Sequence, residues 1–122
     1  MLSPAQFERL VAESLSLVPP EFRRWMDNVA IVVEDEPSEE VRREMELADD
    51  ETLFGLYTGT PLTERTVDYA GLPDQITIYR LPILDEFDDP AEIRREVART
   101  VIHEIAHHFG IGEDRLRELG WD

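Results

Sequence analysis

His103 and His107 stand four residues apart with a carboxylate beside the first, in the run His103-Glu104-Ile105-Ala106-His107. On a helix of about 3.6 residues per turn, that spacing stacks both imidazoles on one face, where both can reach one metal ion. Glu104 then lies beside the ion without binding it. Two neutral imidazoles, an open position for water and a nearby carboxylate base are the parts of a zinc hydrolase. In that chemistry zinc brings the pKa of its water toward neutrality, and Glu104 takes the proton as the water attacks a carbonyl. Glu104 later returns it to the leaving amine. A tight zinc site needs a third protein ligand. Gly110 allows a sharp turn just after His107, and the carboxylates beyond it are Glu113, Asp114 and, further on, Glu118. The chain has no cysteine, which excludes thiolate ligands and disulfides. His108 follows His103 by five residues, points away from the shared face and is expected to stay out of the shell.

The segment that must carry this pattern is the best specified in the sequence. Asp89 is a good N-cap, Pro90 suits the first turn, and Glu92 stands where it can reach back to close a capping box. Ile93, Val97, Val101, Ile102, Ile105 and Phe109 then form an apolar face, with Glu96, Arg99, Thr100, His103 and His107 opposite. Gly110 can end the helix in a left-handed conformation, which predicts a helix of about twenty residues. A short last helix is expected around 114–119.

Upstream, Ser3 and Pro4 open a first helix with Phe7, Leu10, Val11, Leu15 and Leu17 on its apolar stripe. Pro19-Pro20 starts a second, carrying Phe22, Trp25 and Met26. The β-branched run Val29-Ala30-Ile31-Val32-Val33 predicts a strand buried on both faces at the centre of a sheet. Ser38 caps a short helix to about Leu47, and Leu53–Tyr57 reads as a strand. The stretch from Thr58 to Asp74 is a long loop expected to border a cleft. Gln75–Arg80 alternates apolar and polar residues, which predicts a half-buried edge strand open to an added peptide and ended by Pro82. The acidic run Glu34-Asp35-Glu36 is assigned to a strand-end turn; Asp85, Glu86, Asp88 and Asp89 could draw a hard cation, yet helix capping explains Asp89 without one.

These elements make an α+β fold: N-terminal helices, a small mixed sheet of three or four strands, and a C-terminal helix carrying the site. At 122 residues and 42% hydrophobic content, residues 1–122 are expected to form one domain. The formal charge of −16 argues against nucleic acid and anionic membrane as partners. No basic n-region with an apolar run and no membrane-length apolar stretch is present, so a cytoplasmic protein is expected.

The run His103-Glu104-Ile105-Ala106-His107-His108-Phe109-Gly110-Ile111-Gly112-Glu113 resembles the extended zinc motif of the metzincin metallopeptidases. There the helix ends at a glycine and the third ligand lies three residues later, a position held here by Glu113. Most of those enzymes have histidine at that position and a few an acid. The chain as a whole resembles the small bacterial zincin-like metallopeptidases sometimes called minimal zincins. That likeness implies a zincin-like fold, a Zn2+ ion held by His103, His107 and Glu113, with Asp114 ranked behind Glu113 and Glu118 last, Glu104 as catalytic base, and a peptide or protein substrate. The methionine turn of metzincins has no counterpart, since Met1, Met26 and Met45 all precede the motif. The function expected is a zinc metalloendopeptidase. The alternative is a zincin-fold module that binds or regulates another protein with little catalysis, and hydrolysis of a small amide is a third reading of the motif. The four candidate oxyanion donors are Tyr57, Tyr69, Tyr79 and Arg65, none preferred.

Overall fold

A computed structural model of the chain describes residues 1–59 and 73–122. Helix α1 (Pro4–Ser14) starts as its sequence dictates: the Ser3 side chain accepts from the Gln6 N–H, and Gln6 bonds back to the Ser3 N–H. Its stripe is Phe7, Leu10 and Val11, buried against the core, whereas Leu17 ends 44% exposed on the following 3-10 turn (Leu15–Leu17). Helix α2 (Pro20–Arg23) passes into a second 3-10 turn (Arg24–Met26) and buries Phe22.

Strand β1 (Val29–Glu34) leads to α3 (Glu39–Glu44), which is capped by the Ser38 side chain and ends three residues before Leu47. The turn after it carries Glu46 at a positive φ of 53°. Strand β2 (Gly55–Thr58) and strand β3 (Asp74–Tyr79) follow. The described sheet has three strands in the order β1-β3-β2, with β1 parallel and β2 antiparallel to β3.

This order reverses the expected positions of two strands. Gln75–Tyr79 lies at the centre and β1 at an edge, with every residue of Val29–Val33 only half-buried. Ile76 and Ile78 fill one face of β3, while Thr77 and Tyr79 are buried on the other. An alternating pattern marks a wet face only when nothing covers that face, and here Thr77 is 4% and Tyr79 1% exposed. A substrate strand therefore cannot add to β3, and among the described strands the edge beside the motif helix is β2.

Strand β3 ends at Tyr79, ahead of Pro82, and Pro82 also belongs to a helix. It sits in the first turn of α4 (Arg80–Glu86), where a missing N–H costs no helix bond. Arg80 at the start of α4 is buried and donates from Nε to Asp35 Oδ1 at 2.9 Å and from Nη1 to the Leu2 carbonyl at 2.7 Å. This clamp joins the segment before α1, the end of β1 and α4, and of the acids at that strand end it employs Asp35.

Helix α5 (Pro90–Phe109) spans 20 residues as the pattern predicts, with the Asp89 side chain accepting from the Glu92 N–H at 3.3 Å. It packs on α1, β2 and β3. Ile93, Val97, Val101, Ile102 and Ile105 are fully buried, each contributing roughly 1.5–3 kcal/mol of apolar burial. Two residues depart from the expected faces. Thr100 lies buried beneath β2, and Phe109 is 39% exposed, stacked on Trp25 with ring centroids 4.5 Å apart. Helix α6 (Glu113–Glu118) closes the described chain and buries Leu116.

Candidate metal centre

The last two turns of α5 raise His103 and His107 on one side, with ring centroids 5.9 Å apart. The helix stops at Gly110, whose φ of 73° and ψ of 24° are left-handed, and the Ile111 N–H returns to the Ala106 carbonyl at 2.8 Å. An L side chain resists that φ, so glycine here is what turns the chain back toward the histidines. Gly112 then caps α6, placing Glu113 at its first position.

Glu113 Oε1 lies 3.8 Å from His107 Nε2, and one donor atom each from His103, His107 and Glu113 fall within 4.8 Å of one another. No other such group of three occurs among the described residues. A tetrahedral zinc with bonds near 2.1 Å holds its donors about 3.4 Å apart. His107 and Glu113 are both exposed, which leaves their side chains room to rotate toward that spacing. Two imidazoles with one carboxylate are also a donor set zinc accepts, so the residues present fit the ion. The other two acids are engaged elsewhere: Asp114 Oδ1 accepts from Arg117 at 3.1 Å, and Glu118 Oε2 from Arg115 at 2.9 Å.

Helix α6 is itself tied down. Arg115 donates to Glu21 at 2.7 Å as well as to Glu118, and these two carboxylates raise its pKa above the ordinary guanidinium value. His108 turns away from the group and stacks on Tyr57 with centroids 4.0 Å apart.

Glu104 and the histidines line a cleft of about 420 Å³ between α5 and the β2 edge, with Thr52, Leu53, Phe54 and Gly55 on the strand side and Glu86, Glu96 and Arg99 at its far end. Gly55 brings the two walls together. A Cβ there would lie 2.6 Å from Thr100 Cγ2 and 3.0 Å from the Thr77 carbonyl. The close approach lets the Tyr57 N–H donate to Glu104 Oε1 at 2.9 Å. In the β2–β3 pairing, Phe54 accepts from Tyr79, so Gly55 and Tyr57 turn their peptide groups to the side of the strand opposite β3.

Of the four candidate oxyanion donors, Tyr69 and Arg65 lie outside the described residues. Tyr57 directs its hydroxyl to Asp74 Oδ2 at 2.7 Å, and Tyr79 is buried in the sheet. The long loop expected from Thr58 to Asp74 also falls largely outside them. Sequence reasoning missed two contacts at the site. One is the Tyr57 N–H on Glu104, and the other is the Trp121 carbonyl, 2.6 Å from His103 Nε2. Neither has a local signal, because both partners are main-chain groups distant in sequence.

A family model described as zincin-like metallopeptidase matches residues 26–121. Among solved structures, the chain is similar to a conserved hypothetical protein from Thermo thermophilus, at 22% identity and a TM-score of 0.57. The match covers 88% of this chain and 94% of that one. At that identity the likeness speaks for the fold alone. No curated protein matches.

Proposed function

The chain belongs to the zincin-like metallopeptidases, and from that premise we propose that it is a cytoplasmic zinc-dependent endopeptidase, one domain across residues 1–122. His103, His107 and Glu113 hold the ion, and Glu104 is the general base. The observation that carries this reading is the convergence of His103, His107 and Glu113 at the mouth of a cleft that also holds Glu104 and borders the β2 edge.

Zinc, when bound, supplies a Lewis acid that lowers the pKa of water and polarises a carbonyl. The chain's own residues do the rest. Glu104 accepts the Tyr57 N–H through Oε1, which fixes the carboxylate against β2 and leaves Oε2 to take a proton from the attacking water. The same oxygen returns that proton to the amine of the broken peptide bond. Gly55 directs its peptide groups to the side of β2 away from β3, where an extended segment of substrate can approach the strand by main-chain hydrogen bonding. Leu53 and Phe54 supply an apolar part of the cleft's lining on that side.

A second reading, a module that binds or regulates another protein, is favoured by the fact that Glu104 and His103 both already hold main-chain partners. The Glu104→Gln variant separates the two. An amide cannot take the proton yet fills the same space, so cleavage of unstructured protein substrates, followed by mass spectrometry, falls at least about 100-fold while zinc stays bound. Equal cleavage by wild type and variant overturns the assignment of Glu104. No cleavage by the zinc-loaded wild type supports the binding module.

A further inference from the structure

Residues 120–122 lie across α5 immediately beside the proposed metal ligands. Gly120 takes a φ of 77°, and the Trp121 N–H bonds to the Leu116 carbonyl at 2.9 Å, so the segment folds back from α6. Three successive turns of α5 then hold it. Arg95 lays its guanidinium over the Trp121 ring, 4.6 Å from the centroid, and donates to the Gly120 carbonyl at 3.1 Å. Arg99 Nε donates to the Asp122 carbonyl at 3.1 Å. His103 Nε2 meets the Trp121 carbonyl at 2.6 Å.

A carbonyl oxygen has no proton to give, so the last contact requires the hydrogen on His103 Nε2. A nitrogen that carries a hydrogen has no lone pair for a metal. His107 faces Glu113 through its Nε2, and a second ring one turn earlier on the same face reaches the same point best with its own distal nitrogen, since Nδ1 stands closer to the helix backbone. The group held at His103 is also a main-chain carbonyl, the kind of group a peptide substrate presents.

We propose that Gly120–Asp122 is an intramolecular strap that competes with metal for His103, so that loading of the site requires the strap to lift from α5. This regulation rests on the metal centre proposed above. In the closed state Arg95, Arg99 and His103 hold the strap. In the open state His103 Nε2 is released to complete the ligand set with His107 and Glu113. Apparent metal affinity then equals the intrinsic affinity reduced by the fraction of open molecules.

Arg95 is the handle for a test, because it is exposed, grips the strap and lies two turns from the nearest proposed ligand. Zinc is titrated against a competing chelator into two proteins, both carrying Trp25→Phe so that Trp121 is the remaining tryptophan. One keeps Arg95 and the other carries Arg95→Ala. Trp121 emission and hydrogen exchange over residues 119–122 are followed together. The strap predicts that zinc shifts Trp121 emission to the red and raises exchange in that segment. It also predicts that Arg95→Ala binds zinc roughly five- to tenfold more tightly, through loss of the ring contact and one hydrogen bond. Equal affinities with Trp121 unchanged by zinc overturn the strap and leave the metal centre standing, with His103 ligating through Nδ1. Failure of both proteins to bind zinc overturns the metal centre and the strap with it.

Discussion

Replacing Gly55 by alanine tests how closely β2 must approach α5. The added Cβ would stand 2.6 Å from Thr100 Cγ2 and 3.0 Å from the Thr77 carbonyl. Thr100 cannot swing aside cheaply, because its hydroxyl donates to the Glu96 carbonyl at 2.8 Å and its branched side chain has few rotamers in a helix. Relief therefore comes from moving the strand by about 0.9 Å, to reach an ordinary carbon–carbon contact near 3.5 Å. Overpacking of this kind costs about 2 kcal/mol, which for a domain of this size lowers Tm by roughly 6–10 °C. The shift also stretches the 2.9 Å bond from Tyr57 to Glu104. Thr100→Ser keeps the hydroxyl and removes Cγ2, so adding it to Gly55→Ala restores about half the loss, and urea denaturation of the four proteins in the cycle measures that coupling. Wild-type stability in Gly55→Ala, or strictly additive effects of the two changes, would refute the close-approach argument.

Three further perturbations follow from the same structure. Gly110→Ala forces an L side chain into a φ of 73°; with nothing within 4 Å of the new Cβ, the cost is strain alone. That strain is about 1–2 kcal/mol, read by denaturation, and zinc affinity falls as well because Glu113 is displaced. Asp89→Ala removes the cap of α5 and lowers stability by about 1 kcal/mol with zinc stoichiometry unchanged, and an unaltered denaturation midpoint would deny the cap its role. Tyr79 has its pKa raised by burial, with Glu34 adding to the shift. Its neutral form is thus favoured by folding, a contribution fully present below its ordinary pKa of about 10 and lost as pH rises through the raised value. Tyr79→Phe accordingly flattens the loss of stability above about pH 10, and an unchanged alkaline slope counts against that cause.

The motif helix was legible because its signals are local. Asp89, Pro90, the apolar spacing and Gly110 are each read within a few residues, and α5 begins and ends where they say. Strand positions were not legible in the same way. Whether Val29–Val33 or Gln75–Tyr79 lies at the centre depends on pairing between segments some forty residues apart, and composition carries only the expectation that β-branched runs are buried. Helix α4 went unforeseen because a proline that ends a strand suits the first turn of a helix equally well. Thr100 was placed on the polar face by its type, whereas Gly55 opens the space that buries it. At the site, the helix period made the pairing of His103 with His107 readable and the glycine turn narrowed the third ligand to Glu113 or Asp114, while the preference for Glu113 rested on the resemblance to the metzincin motif. The Tyr57 N–H and the Trp121 carbonyl were not, since main-chain groups leave no trace in residue identity.

The central claim is that His103, His107 and Glu113 form one metal centre, and metal content by elemental analysis tests it most directly. Wild type, His107→Ala, Glu113→Ala and Asp114→Ala are each loaded with zinc and dialysed without chelator. The account predicts close to one zinc per chain in wild type and Asp114→Ala, and a loss of most of it in His107→Ala and Glu113→Ala. Zinc at background in the loaded wild type, or retained in full by both ligand variants, would contradict it.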